Sequence, residues 1–167
     1  MKASKRIALC AALAAVALTI FVAESQIPPL VAIPGVKLGL ANIVTLVAMV
    51  LLGRRDALAI LAVRLVLGSV FAGGFSAFLF SVAGGVFAYI VMCVLVGVFP
   101  EKLLWVVSVF AALAHNAGQL LVAILITQTP GLIVYGLALA ASGVVTGVFT
   151  GLASMFLIRA IRKSPLL

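Results

Sequence analysis

The sequence predicts an all-α integral membrane protein of six transmembrane helices, and three observations carry that prediction. Its 167 residues are 66% hydrophobic and 8% charged, too few polar groups to coat a water-soluble domain. Its mean hydropathy is +1.46, and at roughly 20 apolar residues per crossing such a chain holds about six spans and little else. The formal net charge is +8, with the basic residues gathered at the ends of the apolar runs. Membrane topology accounts for that pattern, whereas a nucleic-acid partner does not, because there is no basic face with interleaved aromatics. A single membrane domain over residues 1–167 is expected, with no separate soluble catalytic domain.

Span one is placed at 7–23. Lys2, Lys5 and Arg6 precede it as in a signal peptide, but the apolar run is longer than a signal core and Ala23-Glu24-Ser25 is a poor cleavage site. It therefore reads as a retained helix. In the loop over 24–37, Pro28, Pro29 and Pro34 forbid a regular helix, while Ile27, Leu30, Val31, Ala32 and Ile33 are apolar for a loop. Such a segment suits a lid folded back on the protein or the membrane surface. Span two follows at 38–53, closed by Arg54-Arg55-Asp56, and span three at 57–72, closed by Gly73-Gly74. Span four is placed at 75–99 before Pro100-Glu101-Lys102, span five at 103–127 before Gln128-Thr129-Pro130-Gly131, and span six at 132–158 before Arg159, Arg162 and Lys163. With the N-terminus in the cytoplasm, nine basic residues fall inside and one, Lys37, falls outside. Both termini are thus expected in the cytoplasm of a multi-pass plasma-membrane protein, with the 24–37 loop outside.

Two small-residue patterns bear on packing. Gly143, Gly147 and Gly151 form a GxxxGxxxG ridge beside Ser142, Thr146 and Thr150, which suits close approach of a neighbouring helix within the bundle. Span one carries the pairs Ala8/Ala12 and Ala11/Ala15. As a terminal helix it can lie at the bundle's edge, where these alanines could admit a partner.

Polar residues inside the apolar runs are the candidate binding groups. Arg64 falls near the middle of span three, where a charge costs at least ~2.5 kcal/mol. It could bond helix-end carbonyls, reach Asp56 across ~12 Å of helix, or await an anionic ligand. Span five supplies His115, Asn116 and Gln119, and His115 and Gln119 share a face at i and i+4. By helical rise they lie ~18 and ~24 Å from Leu103, in the outer half. Each could equally be interhelical glue. Asn42 and Thr45 follow about one and two turns below the outer surface, and Lys37 stands at the rim, where it could also snorkel to headgroups. By depth, Lys37, Asn42, Thr45, Arg64, His115, Asn116 and Gln119 could converge under the outer loop on a small anionic or amphipathic substrate.

Catalytic motifs are missing. There is no Walker sequence, and Glu24, Asp56 and Glu101 are the only carboxylates, so neither an Asp-rich metal–diphosphate site nor a Ser/His/Asp set can be assembled. Cys10 and Cys93 lie in apolar runs without metal-ligand or CxxC spacing. No metal, cofactor or catalytic residue is expected. The sequence argues for binding.

Four blocks carry a resemblance over nearly the whole chain: Pro34-Gly35-Val36-Lys37-Leu38-Gly39-Leu40-Ala41-Asn42, Arg64-x-x-x-Gly68-Ser69 leading to Gly73-Gly74, Ala83-Gly84-Gly85, and Ala114-His115-Asn116-x-Gly118-Gln119-Leu120. In this order they resemble the Gx transporter family, also labelled heptaprenyl diphosphate synthase component I. That family is similar to the substrate-binding S-components of energy-coupling factor (ECF) transporters. The resemblance implies a six-helix bundle with cytoplasmic termini and an outer loop over the ligand. It also implies an alanine surface on helix one, here Ala8, Ala11, Ala12 and Ala15, facing a transmembrane coupling subunit that works with an ATPase pair. An S-component-like uptake subunit is the first reading. The rival label implies a membrane accessory subunit of heptaprenyl diphosphate synthase in isoprenoid or menaquinone synthesis, with Arg64 holding diphosphate. A purely structural scaffold is a third reading, which leaves the intramembrane polar residues unexplained.

Overall fold

The computed structural model describes residues 3–27, 37–72 and 74–164. Among them the chain is helical without strands: α1 Ala3–Glu24, α2 Asn42–Leu51, α3 Arg54–Ala72, α4 Gly74–Leu95, α5 Leu104–Thr127 and α6 Gly136–Lys163. Short 3-10 turns, Glu101–Leu103 and Pro130–Tyr135, lead into α5 and α6. Residues 28–36, which include Pro34, Gly35 and most of the expected lid, lie outside the described residues.

Helix α1 buries Leu9, Leu13, Ala17, Phe21 and Glu24, a four-and-three spacing that keeps one stripe inward. The stripe ends on a carboxylate. Helix α2 is the main departure from the sequence reading, because the expected span 38–53 contracts to ten helical residues. Positive φ angles at Gly39 (79°) and Gly53 (95°) bracket it, each turning the chain where a side chain would strain it. At ~1.5 Å per residue it is about 15 Å long, half of a hydrocarbon core. It is buried nearly all round, from Val44 to Met49, as a helix inside a bundle should be.

Among the described residues four helices are long and apolar enough to cross a membrane: α1, α4, α5 with its leading turn, and α6 with its leading turn. Helix α3 has the length but begins at Arg54, three residues before the expected 57, and so gathers Arg54, Arg55, Asp56 and Arg64 into one helix.

Successive helices alternate in direction, which sorts the charges between two ends. At one end Arg6 Nε donates to Asp56 Oδ2 at 2.6 Å and Arg162 Nη1 to Glu101 Oε1 at 2.8 Å. There too, the Tyr89 hydroxyl donates to the Arg54 carbonyl at 3.0 Å. Helix α5 packs between α4 and α6. A Cβ on Gly151 would stand 2.4 Å from Trp105 Cα, and one on Gly147 2.5 Å from Val109 Cα, so the glycine ridge is internal packing against α5. The Ser108 and Thr150 hydroxyls share a 2.8 Å hydrogen bond across the same seam. On its other side, α5 brings Gly118 so close to α4 that a Cβ would lie 2.8 Å from the Ala83 carbonyl oxygen.

Candidate functional site

The end opposite the ion pairs holds the C-terminus of α1, the entry to α2, and facing positions on α3, α4 and α5. The site is built around Phe21. Lys37 Nζ lies 3.6 Å from the centroid of its ring and Arg64 Cζ 5.4 Å from it, so two cations lean on one aromatic face system. Gly68, one turn beyond Arg64 on α3, makes room for that ring, since a Cβ there would meet Phe21 Cε1 at 2.6 Å.

Glu24, one turn beyond Phe21, is only 4% exposed. Its Oε1 accepts from the Gly39 amide at 2.6 Å and its Oε2 from the Leu40 amide at 3.1 Å. These amides lie in the turn that leads into α2, so the carboxylate anchors that turn and ties the far end of the loop to α1. The sequence reading put Glu24 at the start of the 24–37 loop; in the structure it is the last residue of α1 and is turned into the bundle. Burial pulls the Lys37 ammonium below the ordinary lysine range; Glu24 opposes that pull and Arg64 adds to it. Lys37 thus lies within the electrostatic reach of both Glu24 and Arg64.

Arg64 is 2% exposed, and its Nε and Nη2 have no hydrogen-bond partner among the described residues. Asp56, which might have reached it along α3, is engaged by Arg6 instead. Gly85 on α4 accommodates the guanidinium: a Cβ there would lie 3.1 Å from Nη2.

Helix α5 presents His115 and Gln119 to this cluster. Asn42 Nδ2 and His115 Nδ1 are 3.2 Å apart in a buried hydrogen bond. The Lys37 amide donates to Gln119 Oε1 at 3.2 Å, linking the rim to α5. A Cβ on Gly84 would stand 2.6 Å from His115 Cε1, and one on Gly39 3.0 Å from His115 Cδ2. Two of the sequence blocks thus meet physically, Gly84 giving way to the imidazole and Gly118 to the α4 backbone. Besides Arg64, the buried atoms without described partners are Lys37 Nζ, Asn42 Oδ1, His115 Nε2 and Gln119 Nε2. Buried polar atoms are ordinarily satisfied, so this concentration in one place suits a ligand.

Lys37, Asn42, Arg64, His115 and Gln119 are therefore brought together. Thr45 is buried one turn along α2 from Asn42, with no side-chain hydrogen bond to the cluster among the described residues. Asn116 turns to the other side of α5, where its Nδ2 donates to the Leu139 carbonyl at 2.7 Å. There it borders an apolar groove of about 240 Å³ between α5 and α6, lined by Leu113, Ala117, Leu120 and Leu139. Sequence reasoning did not single out Phe21 and Glu24. The signal was present, since both continue the stripe of Leu9, Leu13 and Ala17.

The four alanines expected to meet a partner, Ala8, Ala11, Ala12 and Ala15, are all exposed on the face of α1 away from that stripe. Among the described residues no group of three His, Cys, Asp or Glu side chains could hold a metal ion.

No curated protein and no solved structure matches this chain. The family model described as heptaprenyl diphosphate synthase component I matches residues 13–157, taking in α2 to α5 entire, most of α1 and α6, and every polar residue of the cluster, and the chain belongs to that family.

Proposed function

We propose that this chain is a membrane-embedded binding subunit that takes a small anionic or amphipathic molecule into the Lys37–Arg64 cluster and works with a protein partner. The observation that carries this reading is Arg64, a buried guanidinium with two unpartnered nitrogens among the described residues and no carboxylate bonded to it. Breaking even on such a charge requires a partner, since an uncompensated buried ion costs several kcal/mol. A bound anion would supply it. Lys37, Asn42, His115 and Gln119 would line the same site, with Thr45 below; Asn116 would contribute only through its packing against α6.

The family name favours one setting over others: an accessory membrane component of heptaprenyl diphosphate synthase, in isoprenoid or menaquinone side-chain synthesis, whose partner is the other synthase component. With three carboxylates in the chain, the prenyl-transfer chemistry would belong to that partner. Adding this protein in nanodiscs to the purified catalytic component should change product length or rate. Identical products with and without it would overturn this setting.

One observation favours a second reading, an S-component-like subunit of an ECF-type uptake transporter. The exposed small residues Ala8, Ala11, Ala12 and Ala15 offer α1 a flat surface for a transmembrane coupling subunit with its ATPase pair. Under this reading Ala12→Trp blocks co-purification of those subunits while leaving the bundle folded; normal assembly would remove α1 as the docking face.

Either setting is consistent with six crossings, both termini in the cytoplasm of the plasma membrane, and the cluster on the outer side, because the paired and exposed basic residues gather at the opposite end. Impermeant labelling of single cysteines at Ser4 and Ser164, in a background without Cys10 and Cys93, tests the orientation: labelling in intact cells would reverse it.

A further inference from the structure

The charge of the cluster can be counted. Lys37 and Arg64 bring two positive charges, and Glu24 is the one carboxylate set against them, because Asp56 is engaged by Arg6 and Glu101 by Arg162 at the other end. Residues 28–36, which connect α1 to this rim, contain no ionisable side chain, so the loop leaves the count unchanged. His115 is 2% exposed and hydrogen-bonded through Nδ1 to an amide, a setting for neutral imidazole. One positive charge is left over.

The hydrogen-bonding capacity is also lopsided. The unpartnered donors are Arg64 Nε and Nη2, Lys37 Nζ and Gln119 Nε2, joined by His115 Nε2 when Nδ1 accepts from Asn42. Against them, among the described residues, stands a single unpartnered buried side-chain acceptor, Asn42 Oδ1. Such a set fits a head group with several acceptor oxygens. In a buried site each charge beyond the one that closes the balance would lack a partner.

We propose that the cluster selects a head group of single net negative charge, and that Glu24, as the resident counter-charge, sets this selectivity. The inference rests on the reading that the cluster binds an anion. A carboxylate or a phosphodiester meets the condition, and so does a fully ionised diphosphate monoester that arrives with one divalent cation. A metal-free diphosphate does not.

The test uses the full chain in phosphatidylcholine nanodiscs, titrated with geranic acid, geranyl monophosphate and geranyl diphosphate at mildly alkaline pH with a chelator present. The tails match, so the head charge alone varies, and Arg64→Leu supplies the baseline for partitioning into lipid. The diphosphate titration is repeated with Mg²⁺ in place of the chelator. The wild type should bind geranic acid roughly tenfold or more tightly than either metal-free phosphate, with Mg²⁺ recovering the diphosphate. Glu24→Gln keeps one amide-accepting oxygen and adds one net positive charge, and should move the preference to the monophosphate by about the same factor. Wild-type affinities that rise with each added charge would overturn the inference while leaving anion binding intact, and so would a folded Glu24→Gln variant that keeps the wild-type ranking. Should that variant not fold, the wild-type ranking decides. Absence of binding by all three probes would overturn the anion-binding reading and this inference with it.

Discussion

The two ends of the bundle handle charge in opposite ways. At one end the arginines are half exposed and paired: Arg6 with Asp56, Arg162 with Glu101. At the other, Lys37 and Arg64 are withdrawn into the protein around Phe21, and the only nearby carboxylate is already committed to two backbone amides. Exposed pairs in water contribute little and tolerate change, whereas buried unpaired groups are expensive and persist where something uses them. The same residue type therefore forms exposed ion pairs at one end and is drawn into a buried, unpartnered cluster at the other, where we propose a binding site.

Removing the charge at the centre of the buried end should give the largest effect. Arg64→Leu should weaken anion binding by about a hundredfold or more, while the unliganded protein keeps its stability or gains on the order of 1–4 kcal/mol. Calorimetry and denaturation in detergent read the two quantities separately; equal losses in both would make Arg64 a structural residue. Next in size is Gly84→Val, which drives a side chain into His115, where the ideal Cβ already lies 2.6 Å from Cε1. It should cost about 1–3 kcal/mol and displace the imidazole, and unchanged stability would contradict the packing.

Away from the site the expected effects shrink. Ser108→Ala removes one hydroxyl of the α5–α6 seam, but Thr150 Oγ1 still donates to the Thr146 carbonyl at 2.8 Å. The loss should be about 0.5–1 kcal/mol in denaturation, with ligand binding unchanged. Smallest is Glu101→Gln at the exposed end, under about 1 kcal/mol and fading in high salt. A Glu101 effect equal to that of Gly84 would erase the contrast between the ends.

Much of this contrast was legible in the sequence, for a physical reason. A polar side chain inside an apolar run needs an explanation, so Arg64, His115, Gln119 and Asn42 stood out at once. The ends of runs were harder to read. Glu24 sits where hydropathy falls, and hydropathy cannot distinguish a carboxylate turned into the bundle from one facing water; only the stripe through Leu9, Leu13, Ala17 and Phe21 does. Phe21 looked like any core aromatic. Asn116 shows the limit of reasoning by depth, because one residue along α5 is a turn of ~100° and leads to a different neighbour. The short α2 was hidden because Gly39 and Gly53 end a helix through backbone conformation, which leaves the hydropathy of the run untouched.

The central claim, that the Lys37–Arg64 cluster is an anion site, is tested most directly by native mass spectrometry of the wild type and Arg64→Leu purified side by side. A small anionic molecule carried by the wild type and missing from the folded variant is the predicted result. The same bound species on both proteins would contradict the claim.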